Sequence, residues 1–378
     1  MRYLVMKVLQ LVKTSSGAPW ALQQMQELIV AGYEVHVALP SGGTHIQEYK
    51  DAGIALHYIN YNLKHPFSTI KRLRAIVDEV KPDIIHSHFY ITTLIMRLGL
   101  RRYSIPRFFQ LPGPSHLYYP FLKWLEITIA QKKNDYWIGA CKFSRQAYID
   151  YGIDENRVFL SYYQGEPVKE PEYKDEGKLR NELGLPDSAI MIGMISYMYP
   201  PKRYLGQKRG IKGHEDFIEA IAIAAKKNPN IYGICIGGAW NGAVKYEKSI
   251  HDLSHRLTSN IIFTGSRTDV PKLYPEFFCA VQPSHQENLG GAGQAFRNGC
   301  PIIATDTGGL PDLVIDGVTG YLVPVKNPER LAEAILASVN NPQKTHDMML
   351  EGRKRYIELK KNNKGSLVRI YQQVLQHV

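Results

Sequence analysis

Short apolar runs recur along the chain, separated by segments of a different period. YLVMKVLQLV, EVHVAL, DIIHSH, RFFQL, YWIGA and RVFLSY occupy the first 165 residues. Between them lie stretches with helical spacing, the first carrying Trp20, Leu22, Met25, Leu28 and Ile29. Strands apolar on both faces, alternating with helices, predict a parallel sheet covered by helices. The pattern pauses through QGEPVKEPEYKDEGK (164–178), which is polar, contains proline and has no apolar period; this is the predicted linker. It restarts with AIMIGMI, YGICIGG, NIIFTG, CAVQPS, PIIAT and GYLVPV, again with helices between, and SLVRIYQQVLQHV closes the chain as an amphipathic helix. The expectation is an α/β protein of two doubly wound domains, residues 1–165 and 166–363, with a terminal helix over about 364–378.

Composition narrows this picture. A chain of 378 residues with 44% hydrophobic content fits two domains, each with its own core. Cys141, Cys235, Cys279 and Cys300 are scattered, form no CxxC pair and sit in or beside apolar runs. Buried thiols in a reducing compartment are expected, not disulfides or zinc ligands. The N-terminal run is interrupted by Lys7 and lacks a small-residue cleavage site, so it reads as a strand, not a signal peptide. No stretch of about 18 uncharged apolar residues occurs, and a cytoplasmic protein is expected. The net charge of +11 is uneven: 19 Lys/Arg stand against 12 Asp/Glu in residues 1–165. The clusters KRLR (71–74) and RLGLRRYSIPR (97–107) suit either a solvated face or an anionic partner such as a phosphate-bearing substrate or membrane headgroups. The basic residues follow no nucleic-acid-binding motif.

Ligands of such sheets bind at the carboxyl ends of the strands, and two sheets facing each other would bring those loops to one cleft. Glycines at strand-to-helix turns serve either as tight turns or as amide cradles for phosphate. Gly290, Gly291 and Gly293, in the stretch ENLGGAGQAF (287–296), are candidates for the second role; so are Thr307–Gly309 and Gly17. A long segment, ISYMYPPKRYLGQKRGIKG (195–213), supplies Lys202, Arg203, Lys208, Arg209 and Lys212, of which Lys212 lies where a loop enters its helix. Ser196 and Arg267 occupy further strand-end loops. Phe296 stands where a third glycine would complete a dinucleotide fingerprint, so a nicotinamide cofactor has no support. Dedicated metal-ligand spacing and a GxSxG nucleophile are also absent from the sequence, and no cofactor is expected.

The stretch PSHQENLGGAGQAFRNGCPIIATDTGGLPDLVIDGVTGYLVP (283–324) resembles the donor-binding core of the retaining GT-B glycosyltransferases of family four, through Glu287, Asp306, Gly308, Gly309, Pro311, Asp312, Asp316, Gly317, Thr319 and Gly320. KPDIIHSH (81–88), KGHEDFIEA (212–220), FTGSRTDV (263–270) and the closing helix also have counterparts, so the resemblance spans essentially the whole chain. It implies a GT-B fold of two Rossmann-like domains facing a cleft, with the closing helix packing back on the first. It implies metal-independent transfer of a sugar from a nucleotide-sugar donor, with the anomeric configuration retained. The donor would lie mainly on the second domain. Glu287 would sit by the donor sugar and Lys212 would neutralise the leaving diphosphate, with Arg209, Arg203 or Lys208 substituting for the family's phosphate-binding arginine, which is missing in place. Asn288, Leu289, Gly290 and Gly291 would reach sugar hydroxyls and diphosphate, Gln294 the ribose, and Gly17 the phosphates; Ser196 and Arg267 complete the donor side. A UDP-sugar such as UDP-glucose is favoured on family frequency.

The chain also departs from the family pattern. Gln294 replaces a carboxylate, seven positions after Glu287 where eight is usual; Ser196–Tyr197 replaces a glycine-arginine pair; and Pro112 stands where an active-site histidine is expected. These departures motivate a second reading, a catalytically silent sugar-nucleotide-binding partner, beside a third, a sugar-nucleotide epimerase. Acceptor-side candidates are His88, His116 and Tyr118, with a structural role the better expectation for His88. Tyr118, Tyr119, Phe121 and Trp124 beside Lys123, Lys132 and Lys133 form either a membrane-touching helix for a lipid-linked glycan or a core-facing aromatic stripe. Synthesis of an exopolysaccharide or other surface polysaccharide is the expected process.

Overall fold

A computed structural model of the chain describes residues 5–113, 115–125, 128, 132–163 and 177–376. The expected linker therefore lies almost wholly outside the described residues, as does the end of the aromatic segment near 130. The chain divides into two compact units, Met1–Gly165 with Asn362–Val378, and Glu166–Lys361.

Seven strands build the first unit's sheet: β1 (Lys7–Leu11), β2 (Glu34–Leu39), β3 (Ala55–Tyr58), β4 (Ile84–Ser87), β5 (Arg107–Gln110), β6 (Asp135–Gly139) and β7 (Val158–Leu160). Their order is β3-β2-β1-β4-β5-β6-β7, and every pairing is parallel. Successive residues feed opposite cores, as the period of two in a strand requires. Val8, Ile84 and Phe108 pack with the helices Pro19–Val30 and Ser366–Leu375, while Leu9, Ile85 and Phe109 pack with Pro66–Val80 and Tyr90–Gly99. The closing helix thus seals the first unit with Leu367, Ile370, Tyr371 and Val374.

The second unit's sheet holds β8 (Ile190–Ile195), β9 (Ile231–Ile236), β10 (Ile261–Gly265), β11 (Cys279–Gln282), β12 (Ile302–Thr305) and β13 (Tyr321–Val323), in the order β10-β9-β8-β11-β12-β13, again parallel throughout. Because β8, β9, β11 and β12 run the same way, the loops that follow them open on one edge of the sheet.

The structure sharpens two sequence expectations. The short edge strand β3 carries only half-buried and exposed residues, and no apolar run announces it. Two cations of the 97–107 cluster are buried: Arg97 lies over the Phe109 ring at 3.7 Å, and Arg107 pairs with Asp135 at 2.7 Å with both side chains fully enclosed. That cluster is therefore partly architecture, and Arg101 and Arg102 are the cations it leaves exposed.

Candidate active site

The loop after β11 carries Glu287, and its neighbours hold it from several sides. Gly308, at φ +56°, brings its backbone so near that a Cβ there would lie 1.9 Å from the Glu287 carbonyl oxygen. The Gly309 amide donates to that same oxygen at 3.2 Å, and the Thr307 hydroxyl donates to the His285 carbonyl at 3.1 Å. From the β8 side, Gly213 at φ +75° packs so closely that a Cβ would meet the Pro283 carbonyl oxygen at 2.0 Å. The His285 amide also donates to the Ile211 carbonyl at 2.8 Å.

These contacts place Lys212 against Glu287, Nζ to Oε2 at 2.5 Å, in side chains that are largely enclosed. The same Oε2 accepts from Gln282 Nε2 and from the Ser284 hydroxyl, each at 3.0 Å, and Oε1 accepts from the Asn288 amide at 3.1 Å. A carboxylate with four such donors is held in one orientation. An ammonium has three N–H donors, so Lys212 retains capacity for a second anion beside Glu287.

The glycines of ENLGGAGQAF divide by purpose. At Gly291 a Cβ would fall 2.0 Å from Gln282 Oε1, so this glycine makes room for the amide that steadies Glu287. Gly293 packs on the Tyr356 ring, where a Cβ would be 3.0 Å away. Gly290 has nothing within 4 Å of its Cβ position, and no positive φ. It opens the helix Gly290–Arg297, whose first amides have no acceptor within the helix. Gly17, after β1 in the first unit, is similar: the fold meets a Cβ there only with ordinary contact, 3.6 Å from Thr14.

A chain of ion pairs braces the Lys212 loop. Asp216 links His285 Nε2 with Arg209, and Arg209 also forks onto Glu219 at 2.7 and 3.0 Å. Those bonds, Glu219 foremost, raise the Arg209 guanidinium above its ordinary value. Arg209 is thus tied to the helix His214–Lys227, and Arg267 is gripped by Glu182 and Asp269. Ser196 offers its hydroxyl to the Tyr197 carbonyl at 3.3 Å, and Gln294, exposed, accepts from the Tyr274 hydroxyl at 3.2 Å. The bracing pair Asp216–His285, whose members lie 69 residues apart, has no sequence signature. His214, buried beside the Ser196 backbone, was not singled out either; burial pushes its ring down to about 4.

In the first unit, His88 is fully buried, its ring nitrogens 2.6 Å from Gln10 Oε1 and 3.2 Å from the Tyr163 hydroxyl, and burial pushes it down to about 3. It stacks on His86, which meets the Tyr371 hydroxyl of the closing helix at 2.6 Å. His116 is buried with Nε2 3.1 Å from the Tyr148 hydroxyl. Tyr118 stacks on Phe143 at 5.4 Å, and Phe121 and Trp124 are 66% and 52% exposed. Those last two rings face solvent, not the core.

Comparison with known proteins gives a consistent result. Residues 203–355 match the family described as Glycosyl transferases group 1, and residues 20–162 match Glycosyltransferase Family 4, together well over half of the chain. Among curated relatives, the putative glycosyltransferase EpsD of Bacillus subtilis (strain 168) is 25% identical over 355 residues, covering 85% of this chain and 84% of that protein. Spore coat protein SA of the same organism is 27% identical over 199 residues, covering 48% of this chain and 49% of that one. A D-inositol 3-phosphate glycosyltransferase of Stackebrandtia nassauensis is 24% identical over 264 residues, covering 64% and 56%. The chain thus spans only about half the length of the latter two. Among solved structures, Anabaena Alr3699/HepE in complex with UDP-glucose superposes with a TM-score of 0.77 at 20% identity, over 96% of this chain and 100% of that one. A glycosyltransferase from Rickettsia africae ESF-5 gives 0.81 at 20% identity, covering both chains fully.

Proposed function

The chain belongs to the group 1 glycosyltransferases, of the family four type and GT-B fold, and from that premise we propose that it moves a sugar from a UDP-sugar, with retention and without a metal, to a glycan or lipid-linked acceptor. The observation that carries the proposal is the Lys212–Glu287 pair, fixed in the loop after β11 and three residues from Gly290, whose Cβ position is open. Breaking the bond between the anomeric carbon and the diphosphate leaves negative charge on the departing oxygen. Lys212 and the first amides of the helix Gly290–Arg297 are fixed donors aimed where that charge develops, which stabilises it without reorganisation. Glu287 holds a sugar hydroxyl or balances positive charge on the ring. Asn288 and Leu289 line the sugar, and Gln294 holds the ribose. In this reading Arg209 serves by holding the Lys212 loop, and Ser196 and Arg267 border the donor.

UDP and UDP-glucose are the ligands in the Alr3699/HepE complexes, which favours the uridine donor. Similar structures include a lipopolysaccharide outer core galactosyltransferase, WaaB, in keeping with a role in surface polysaccharide synthesis. The exposed Phe121 and Trp124 beside Lys123 suit an acceptor presented at a membrane surface. Among the described residues no helix is long and apolar enough to cross one.

The test is release of free nucleotide from a panel of UDP-, GDP- and ADP-sugars in excess EDTA, beside Glu287→Ala. Release from a UDP-sugar, insensitive to EDTA and reduced by about a hundredfold or more in the variant, is expected. Binding without release, with or without added acceptor, is the result a catalytically silent partner gives. No binding at all overturns the donor site.

A further inference from the structure

The segment between β8 and the helix His214–Lys227 is long and pinned at both ends. Near its start, the Met198 amide donates to the Gly238 carbonyl at 2.9 Å, and the Trp240 amide donates back to the Met198 carbonyl at 3.2 Å. Near its end, the Gly210 amide and the Tyr246 hydroxyl both donate to Glu215 Oε1, at 3.1 and 3.0 Å. Gly210 is pressed so close that a Cβ there would lie 2.0 Å from the Tyr246 oxygen. The loop is therefore a built element, and it carries aromatic side chains to the edge of the sheet where Lys212 and Glu287 stand.

Tyr199 stacks on Trp240 with ring centroids 4.9 Å apart and planes 26° from parallel, and Tyr197 meets Trp240 at 5.3 Å. Trp240 thus meets both tyrosines, yet Tyr197 remains 47% and Trp240 39% exposed. Together they leave contiguous aromatic surface within reach of a ligand at this edge of the sheet. The inner ring of the group, Tyr199, has its centroid 5.8 Å from Lys212 Nζ.

We propose that Tyr199, Trp240 and Tyr197 form an aromatic floor on which the pyranose ring of the donor sugar stacks. The inference rests on the donor reading of the Lys212–Glu287 pair. A phosphate held by Lys212 bonds directly to the sugar, so the first ring it brings near the floor is that sugar. The nucleobase is separated from it by a second phosphate and a ribose. One face of a pyranose presents C–H groups of slight positive charge, and the faces of Tyr and Trp are electron-rich. The same faces attract positive charge developing at the anomeric carbon. Glu287, 2.5 Å from Lys212, is then left to the hydroxyl rim of the sugar.

The test compares ligands that differ only by the sugar. Dissociation constants of UDP and UDP-glucose, and of GDP and GDP-mannose, are measured for the wild type, Trp240→Ala, Tyr197→Ala and Trp240→Phe, with thermal melting as the check on folding. Trp240→Ala is expected to weaken the nucleotide-sugar by about five- to tenfold while leaving the free nucleotide within about twofold, and Trp240→Phe to restore most of the loss. Equal weakening of nucleotide and nucleotide-sugar would put the base on the floor and overturn the proposal. Unchanged affinity for both would overturn it too, and a loss confined to transfer would then assign the rings to the acceptor. A wild type that binds none of the four ligands fails at the donor reading itself, and removes the floor with it.

Discussion

The two units treat their polar strand-end residues in opposite ways. In the first, His86 and His88 at the end of β4 are buried, stacked on one another and bonded to Tyr371, Gln10 and Tyr163. In the second, Glu287 and Lys212 are enclosed on several sides yet keep 14% and 20% of their side-chain surface exposed. The first arrangement consumes hydrogen-bonding capacity in packing; the second organises it and leaves part unspent. Polarity at the end of a parallel strand is therefore not in itself a sign of chemistry. What separates the cases is whether the loop that carries the group is braced by backbone, as around Glu287, or whether the group itself is the brace, as with His88.

The strongest way to break this contrast is to loosen the bracing without touching Glu287 or Lys212. Gly308→Ala puts a methyl where the Glu287 carbonyl oxygen lies, at a φ of +56°. Sugar-nucleotide hydrolysis is expected to fall by more than about a hundredfold with Glu287 and Lys212 both present, because displacement of about an ångström is enough for such a loss. Activity within threefold of wild type would show that the bracing is dispensable.

Gly290→Ala asks for a smaller effect and sharpens the distinction between glycines. The fold leaves its Cβ position open, so melting temperature should hold or rise slightly, by the equivalent of about 0.4–1 kcal/mol. Donor affinity is expected to fall by about tenfold as the methyl intrudes on the ligand. A drop in melting temperature with affinity unchanged would reverse the assignment.

His88→Phe should change catalysis least. UDP-sugar hydrolysis is expected within about twofold of wild type, while the melting temperature falls by about 4–8 °C because Gln10 and Tyr163 lose a buried partner. The acid limb carries a further signature. The folded-state value of His88 is about 3, below that of an unfolded histidine near 6.5, so the unfolded chain binds the extra proton between those limits. Stability from this group is complete above about pH 6.5 and is lost as pH falls through the window toward 3, at about 1.4 kcal/mol per pH unit. The variant should lose stability less steeply there, measured by denaturant titration at pH 7, 6 and 5. A collapse of activity in a folded variant would instead give His88 a role with substrate.

The sequence exposed part of this and concealed the rest for identifiable reasons. Alternation of apolar runs revealed the two parallel sheets because their strands are buried on both faces, so each reads as an unbroken apolar word. The strand β3 escaped because it lies at an edge and buries little. Glu287 stood out as a member of a long local pattern, and Lys212 by its place where a loop enters its helix. The Asp216–His285 brace did not, since its meaning depends on a partner many loops away. Arg97 and Arg107 were counted as surface charge, because a tally of cations carries no information about enclosure. Phe121 and Trp124 left two orientations open, and only the packing decides that they face outward.

The helix Ser366–Leu375 gives the first unit a seam between Gln10 and Tyr371, 361 positions apart in sequence. During synthesis, β1 leaves the ribosome more than three hundred and fifty residues before Tyr371 arrives to meet Gln10 and His86. Until then the groove over Val8, Ile84 and Phe108 lacks its Leu367 and Ile370 cover, and two buried polar side chains lack a partner. The half that is made first is therefore finished last. A chain truncated just before Ser366 would keep every strand of the second unit and leave the first unit's core open over Val8, Ile84 and Phe108.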